Sequence, residues 1–300
     1  MWLLLAFLSA ALLGLYDVAK KVALRDNAVL PVLLLNTLFS TLLFAPFLVS
    51  AVAGFDLFEG TMFHIEAEGW GAHLLVILKS AIVLSSWIFG YFALKHLPLT
   101  IVGPVNATRP VMVLLGAMLL FGERLNLWQW SGVLLSILSL FLLSMAGRKE
   151  GINFARNKWV LLLAASAVMG AVSGLYDKFI MRELSPIFVQ SWYNLYQLVM
   201  MSIVVAILYL PRRDSTTPFR WSWAIPCISI ILSCADFAYF YALSDQEAMI
   251  SVVSMVRRSS VVVSFAFGAM IFREKNLRTK ALDLLLIIVG MVLLYIGSRG

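Results

Sequence analysis

An all-α integral membrane protein, built of ten transmembrane helices as two inverted five-helix repeats, is the fold class that the sequence predicts. Three observations carry it. The 300 residues are 62% hydrophobic and only 13% charged, with a mean hydropathy of +0.93, against roughly 45–50% apolar and about 25% charged in soluble chains. The apolar residues gather into continuous runs long enough to span a bilayer, which takes about 20 residues of helix; a membrane barrel would instead show short alternating segments. Short motifs from the first half return in the same order in the second. These proportions leave no room for a water-soluble enzyme domain.

The predicted spans are 2–23, 30–53, 71–95, 99–121, 127–146, 158–178, 187–210, 222–244, 248–272 and 280–297. The first begins at once after Met1-Trp2, with no basic leader or small-residue cleavage pattern, so it reads as a mature helix. The second and third are separated by a long acidic connection, 54–70, carrying Asp56, Glu59, Glu66 and Glu68. The fourth holds Pro104 and Pro110, which should bend it near Arg109. A polar linker, 147–156, follows the fifth. Cys227 and Cys234 both fall in the eighth apolar run and supply no disulfide or metal framework. His64, His73 and His96 are isolated at or near loops and form no metal cluster.

The repeat sets the domain boundaries at 1–147 and 157–300. Gly14-Leu-Tyr-Asp17 recurs as Gly174-Leu-Tyr-Asp177, and Tyr91-Phe-Ala-Leu94 is echoed by Phe240-Tyr-Ala-Leu243. Gly116-Ala-Met118 with Phe121-Gly-Glu123 returns as Gly268-Ala-Met270 with Phe272-Arg-Glu274. Five spans is an odd number, so the second copy enters the membrane from the opposite face. Inverted repeats belong to transporter architecture, in which two halves exchange conformations around a midplane site. Orientation follows from Lys and Arg in the loops: 4 lie on the side where the first span begins and 15 on the other. Both termini and the acidic connection are therefore expected outside the cytoplasm. The net charge of +7 is mostly this topology signal, so no nucleic-acid surface is implied.

Ionisable side chains within spans mark function. Arg109, Arg257 and Arg258 each fall roughly 15 Å into a span at 1.5 Å per residue, and the 149-residue offset that superposes Tyr91 on Phe240 also superposes Arg109 on Arg258. Guanidinium groups at midplane suit a carboxylate or phosphate. Arg257 and Arg258 are about 100° apart on a helix, so only one should point squarely into a cavity. Alternatively the arginines pair internally with Asp236, Asp17 or Asp177. Asp17 has Lys20 and Lys21 at i+3 and i+4. Asp177 has Met181 at i+4 and is the better candidate for a coupling or gating carboxylate, while Asp236 stands at the position matching Trp87 and breaks the symmetry. Tyr16, Tyr176, Trp87, Tyr91 and Tyr239, with Tyr193, Tyr196 and Tyr241, supply polar-tipped aromatics able to line a cavity. The segment 103–110, including Asn106, is where freed backbone could meet a ligand.

Two such five-span halves resemble the ten-helix, EamA-type branch of the drug/metabolite transporter superfamily. The resemblance rests on Gly14 before Lys21, on Tyr91-Phe-Ala-Leu-Lys-His-Leu-Pro98, and on a Pro-containing fourth helix closing at Phe121-Gly-Glu-Arg-Leu125. Span 9, Val256-Arg-Arg-Ser-Ser-Val-Val-Val-Ser264, is similar to the ninth helix of the sugar-phosphate and nucleotide-sugar branch. That likeness implies a basic pair, Arg257 and Arg258, holding an anion with Arg109 assisting. Arg109 stands directly before Pro110, whereas that branch places its span-4 lysine about a turn earlier, near Asn106. The superfamily usually keeps both termini cytoplasmic, against the charge count here.

The resulting expectation is a secondary transporter moving a small organic anion or zwitterion by alternating access in the inner (plasma) membrane. Its first rival is an exporter of amino acids or hydrophobic metabolites and drugs, with the arginines structural. The second is a membrane-embedded enzyme, but no cluster of nucleophile, base or metal ligands shares one depth. No nucleotide-binding loop occurs, and no cofactor or metal is implied. The expected partners are a small-molecule substrate and the lipid bilayer, with monomer and homodimer both open.

Overall fold

The computed structural model describes residues 1–24, 26–55, 57–96, 108–145, 157–215, 217–260, 263 and 277–297. Ten α-helices run through them: α1 (Trp2–Leu24), α2 (Val29–Ala53), α3 (Trp70–His96), α4 (Arg109–Phe121), α5 (Leu127–Met145), α6 (Lys158–Ile180), α7 (Pro186–Val204), α8 (Ala224–Ser244), α9 (Ile250–Arg258) and α10 (Leu277–Gly297). Six of the apolar stretches, from Trp2–Leu24 to Ala224–Ser244, are long and apolar enough to cross a bilayer, the shortest having 21 residues. At 1.5 Å per residue that matches a hydrocarbon core of about 30 Å. The protein is a multi-pass membrane protein.

Local signals set the helix ends. Asn157 caps α6 by accepting from the Trp159 N–H, and Ser185 caps α7 by accepting from the Phe188 N–H, with Pro186 in the first turn where its missing N–H costs nothing. Gly54 and Gly122 end α2 and α4 in the left-handed region, at φ 68° and 65°, where a side chain would be strained. Pro110 sits in the first turn of α4 as described, and 97–107, which include Pro104, lie outside the described residues. The seventh span, expected at 187–210, runs as one apolar helical stretch, Pro186–Arg213, in which α7 passes into a π-helical turn at Val205–Tyr209 and a 3-10 turn at Leu210–Ser215. The expected continuation of span 9 beyond Arg258 lies mostly outside the described residues.

Each main packing seam joins a helix of the first five to one of the last five. α1 lies against α8, α3 against α6, α2 against α7 and α5 against α10, while α4 packs on α6 and α9 on α1. Replacing each helix by the one five places along maps this set of pairs onto itself. Small residues let the seams close, as in membrane bundles generally. Ala6, Ser9 and Ala10 of α1 are buried, and the Ser9 hydroxyl donates to the Ala235 carbonyl at 2.7 Å. In the α3–α6 seam the Ser86 hydroxyl donates to the Ser166 carbonyl at 2.9 Å and the Ser166 hydroxyl to the Ser86 carbonyl at 2.7 Å. Leu4, Leu42, Val52, Leu119 and Ile207 point outward, where lipid accepts them. Phe63 of the 54–70 connection stacks between Phe47 of α2 and Phe237 of α8, which ties that loop to the bundle.

Candidate functional site

A cavity of about 500 Å³ opens where α1, α3, α4, α6, α8 and α9 meet. Its described lining carries five cationic side chains, Lys20, Lys79, Arg109, Arg257 and Arg258, against two carboxylates, Asp177 and Asp236. Such a volume is in the usual range for a small-molecule site.

The cations are held in different ways. Lys79 of α3 makes a 2.5 Å ion pair with Asp177 of α6, with side chains only 3% and 8% exposed. Its ammonium also lies over the rings of Tyr193 and Phe240, at 4.5 and 4.7 Å. Arg257 of α9 pairs with Asp236 of α8 at 2.7 Å and stacks over Tyr239 at 3.9 Å, but both members of this pair are 20% exposed. Arg109 has no carboxylate partner among the described residues. Its terminal nitrogen donates to the Ser166 carbonyl and hydroxyl at 3.1 and 3.0 Å, and its Nε has no partner. A Cβ on Gly170 would stand 2.8 Å from the Arg109 Cζ, so a bare α6 backbone is what admits the guanidinium. Arg258 borders the same cavity, and its charge acts on that of Arg109.

Glu123 explains why the Phe121-Gly-Glu123 motif has its form. Gly122 turns the chain out of α4, and the Glu123 carboxylate then accepts from the Ile250 N–H at 2.7 Å, the Ser251 N–H at 3.2 Å and the Ser251 hydroxyl. A carboxylate at a helix N-terminus meets unpaired N–H groups and the positive end of the helix dipole. The first half thus holds the helix that carries Arg257 and Arg258.

The model of the EamA-like transporter family matches residues 1–145 and 157–296. The chain belongs to this family. The EamA-like transporter is also similar in fold to a protein crystal structure at TM-score 0.73, with 19% sequence identity, over 99% of this chain and 97% of that one. No curated protein matches it. Membership makes it a membrane transporter of small molecules.

Of the residues singled out in the sequence, the transporter brings Arg109, Arg257, Arg258, Asp177, Asp236, Tyr16, Trp87, Tyr193 and Tyr239 to one cavity. Arg257 and Arg258 both border it. Long arginine stems let neighbours converge on a space this wide. Tyr176 lies outside the wall and donates to the Leu75 carbonyl at 3.1 Å. Tyr196 meets His73 at 2.9 Å, and Tyr241 donates to the Met62 carbonyl. Asn106 and the side chains of Asp17 and Tyr91 lie outside the described residues. Asp177 lacks a local cation but has a distant one. Lys79 is the residue that sequence reasoning left without a role, although a lysine inside an apolar span is the same signal that drew notice to the arginines. Lys178 turns away and donates to the Leu243 and Asp245 carbonyls, at the end of α8.

Proposed function

We propose that the protein is a secondary transporter of a small organic anion, worked by alternating access between two inverted five-helix halves, 1–147 and 157–300, in the plasma membrane. The observation that carries this reading is the cationic surplus of the cavity's described lining, with Arg109 held, among the described residues, by neutral oxygens alone. A buried guanidinium without a carboxylate is costly, and an anionic ligand compensates it where bidentate hydrogen bonds can form. The seam pattern that maps onto itself under exchange of halves, and the two stretches matched by the family model, support the repeat. The like placement of Arg109 and Arg258 on one cavity supports a shared role, as in the sugar-phosphate branch. The loop charges favour both termini outside the cytoplasm. Among the described carboxylates of the cavity, Asp177 is closed against Lys79 while the Asp236–Arg257 pair is one-fifth exposed, which favours Asp236 over Asp177 for coupling or gating.

A thermal-stability screen of the purified protein against phosphorylated sugars, nucleotides, carboxylates and neutral amino acids tests the substrate class. Anions should raise the melting temperature, and their affinity should fall about ten-fold or more in Arg258→Ala, the value of one charge-assisted hydrogen bond. Stabilisation by neutral ligands alone, indifferent to that change, would contradict it.

A further inference from the structure

Behind Trp87 and Tyr193 lies a second, much smaller chamber of about 20 Å³ between α2, α7 and α8. Its wall is largely polar, and several of its polar atoms have no partner. Asn36 Oδ1, Gln190 Oε1, Gln197 Oε1, Ser233 Oγ and Asn194 Nδ2 have no hydrogen-bond partner, and all five residues are more than nine-tenths buried. Buried polar side chains nearly always find partners, so a group of them around one small space is exceptional. Asp236 also borders this chamber, and no cationic side chain is among its described lining. The two spaces therefore share one carboxylate, which faces Arg257 on one side and neutral oxygens on the other.

We infer that this chamber is a sodium site, and that the bound ion is linked to the anion through Asp236. The inference rests on the anion-transport reading for its linkage, though not for the site itself. The three amide oxygens and the Ser233 hydroxyl oxygen can all serve as ligands to one cation, while the Asn194 Nδ2 group, a donor, takes no part in that set. Hard oxygen donors suit an alkali or alkaline-earth ion. One shared carboxylate among neutral ligands suits a single positive charge, because sites for divalent ions recruit more carboxylates. The space holds one water-sized occupant. An ion there draws on the charge of Asp236, which loosens the hold of Asp236 on Arg257 and turns that guanidinium toward an anion in the large cavity. Linkage is reciprocal: sodium must tighten anion binding by the same factor by which the anion tightens sodium.

The test compares thermal unfolding of the full-length protein in sodium, potassium and choline chloride at matched ionic strength. The expected result is a sodium-specific rise in melting temperature that grows with the logarithm of concentration above Kd. Asn36→Ala and Ser233→Ala should each weaken the apparent sodium affinity about ten-fold or more, the scale seen when even outer partners of a bound metal are lost. Asp236→Asn should abolish the effect of sodium on anion binding. Equal melting in sodium and choline chloride for the unaltered protein, a comparison that needs no variant to fold, means the chamber holds water and overturns the site. Sodium stabilisation without any stabilising anion keeps the site and sinks the anion reading. An anion that binds equally in both salts sinks the linkage.

Discussion

The α3–α6 seam and the α8–α1 seam have the same place in the helix pairing but different polar equipment. The first contains Lys79–Asp177, almost wholly buried and braced by two aromatic rings. In the second, the position matching Lys79 is Ile228, which packs in an apolar cluster with Tyr16 and Ala23. Its charge instead stands at Asp236, where the first seam has Trp87, and pairs with Arg257 at the edge of the cavity with one-fifth of each side chain exposed. A closed, braced pair is suited to fix a seam. A partly exposed one, at the edge of the cavity, is suited to be separated by a ligand. The α3–α6 seam thus carries a closed pair, and the α8–α1 seam carries a carboxylate whose pair borders the cavity and is one-fifth exposed.

The largest expected effect breaks the closed pair. Lys79→Ala leaves Asp177 buried and uncompensated, which should cost about 3–5 kcal/mol, read as a fall in melting temperature in detergent. Lys79→Met combined with Asp177→Leu should recover most of it, since an apolar pair of similar volume needs no compensation. Next is Arg109→Ala, which removes the cation held only by Ser166. Anion affinity should fall about ten- to one-hundred-fold, from charge-assisted hydrogen bonds worth about 1.5–3 kcal/mol, while the melting temperature without ligand holds or rises. Glu123→Gln weakens the anchor of α9 and should cost about 1 kcal/mol in melting experiments, the usual value of a helix cap. Smallest is Asp236→Asn, which keeps a polar amide against Arg257 in a pair that is one-fifth exposed where Lys79–Asp177 is closed, so its cost should stay below that of Lys79→Ala. Its anion affinity should stay the same or increase, and a large loss of either quantity would erase the contrast between the seams.

Much of the bundle was legible from hydropathy alone. The second span, expected at 30–53, is α2 at Val29–Ala53, and the eighth, expected at 222–244, is α8 at Ala224–Ser244. The buried charges were legible as well, because each interrupts an apolar run. One partner was legible too, since Asp236 stands among the internal counter-ions expected for the arginines and Arg257 pairs with it; the partner of Asp177 was not. Lys79 and Asp177 lie 98 positions apart in opposite halves, and which two helices meet, at what rotation, is not written in runs that are apolar on every side. Asn36, Gln190 and Gln197 escaped notice because neutral amides carry no charge to flag them, and only the packed structure shows that they face one space. Glu123 was legible as a repeated letter, but its task of holding Ile250 and Ser251 belongs to tertiary structure.

The central claim is that the cavity binds an anion through Arg109 and its neighbours. Its most direct test is counterflow in proteoliposomes, with the best-stabilising anion trapped inside and labelled anion outside. The unaltered protein should accumulate label above the level of empty vesicles, Lys79→Met with Asp177→Leu should retain uptake, and Arg109→Ala should lose it at the same substrate concentration. Uptake by Arg109→Ala equal to that of the unaltered protein would contradict the account.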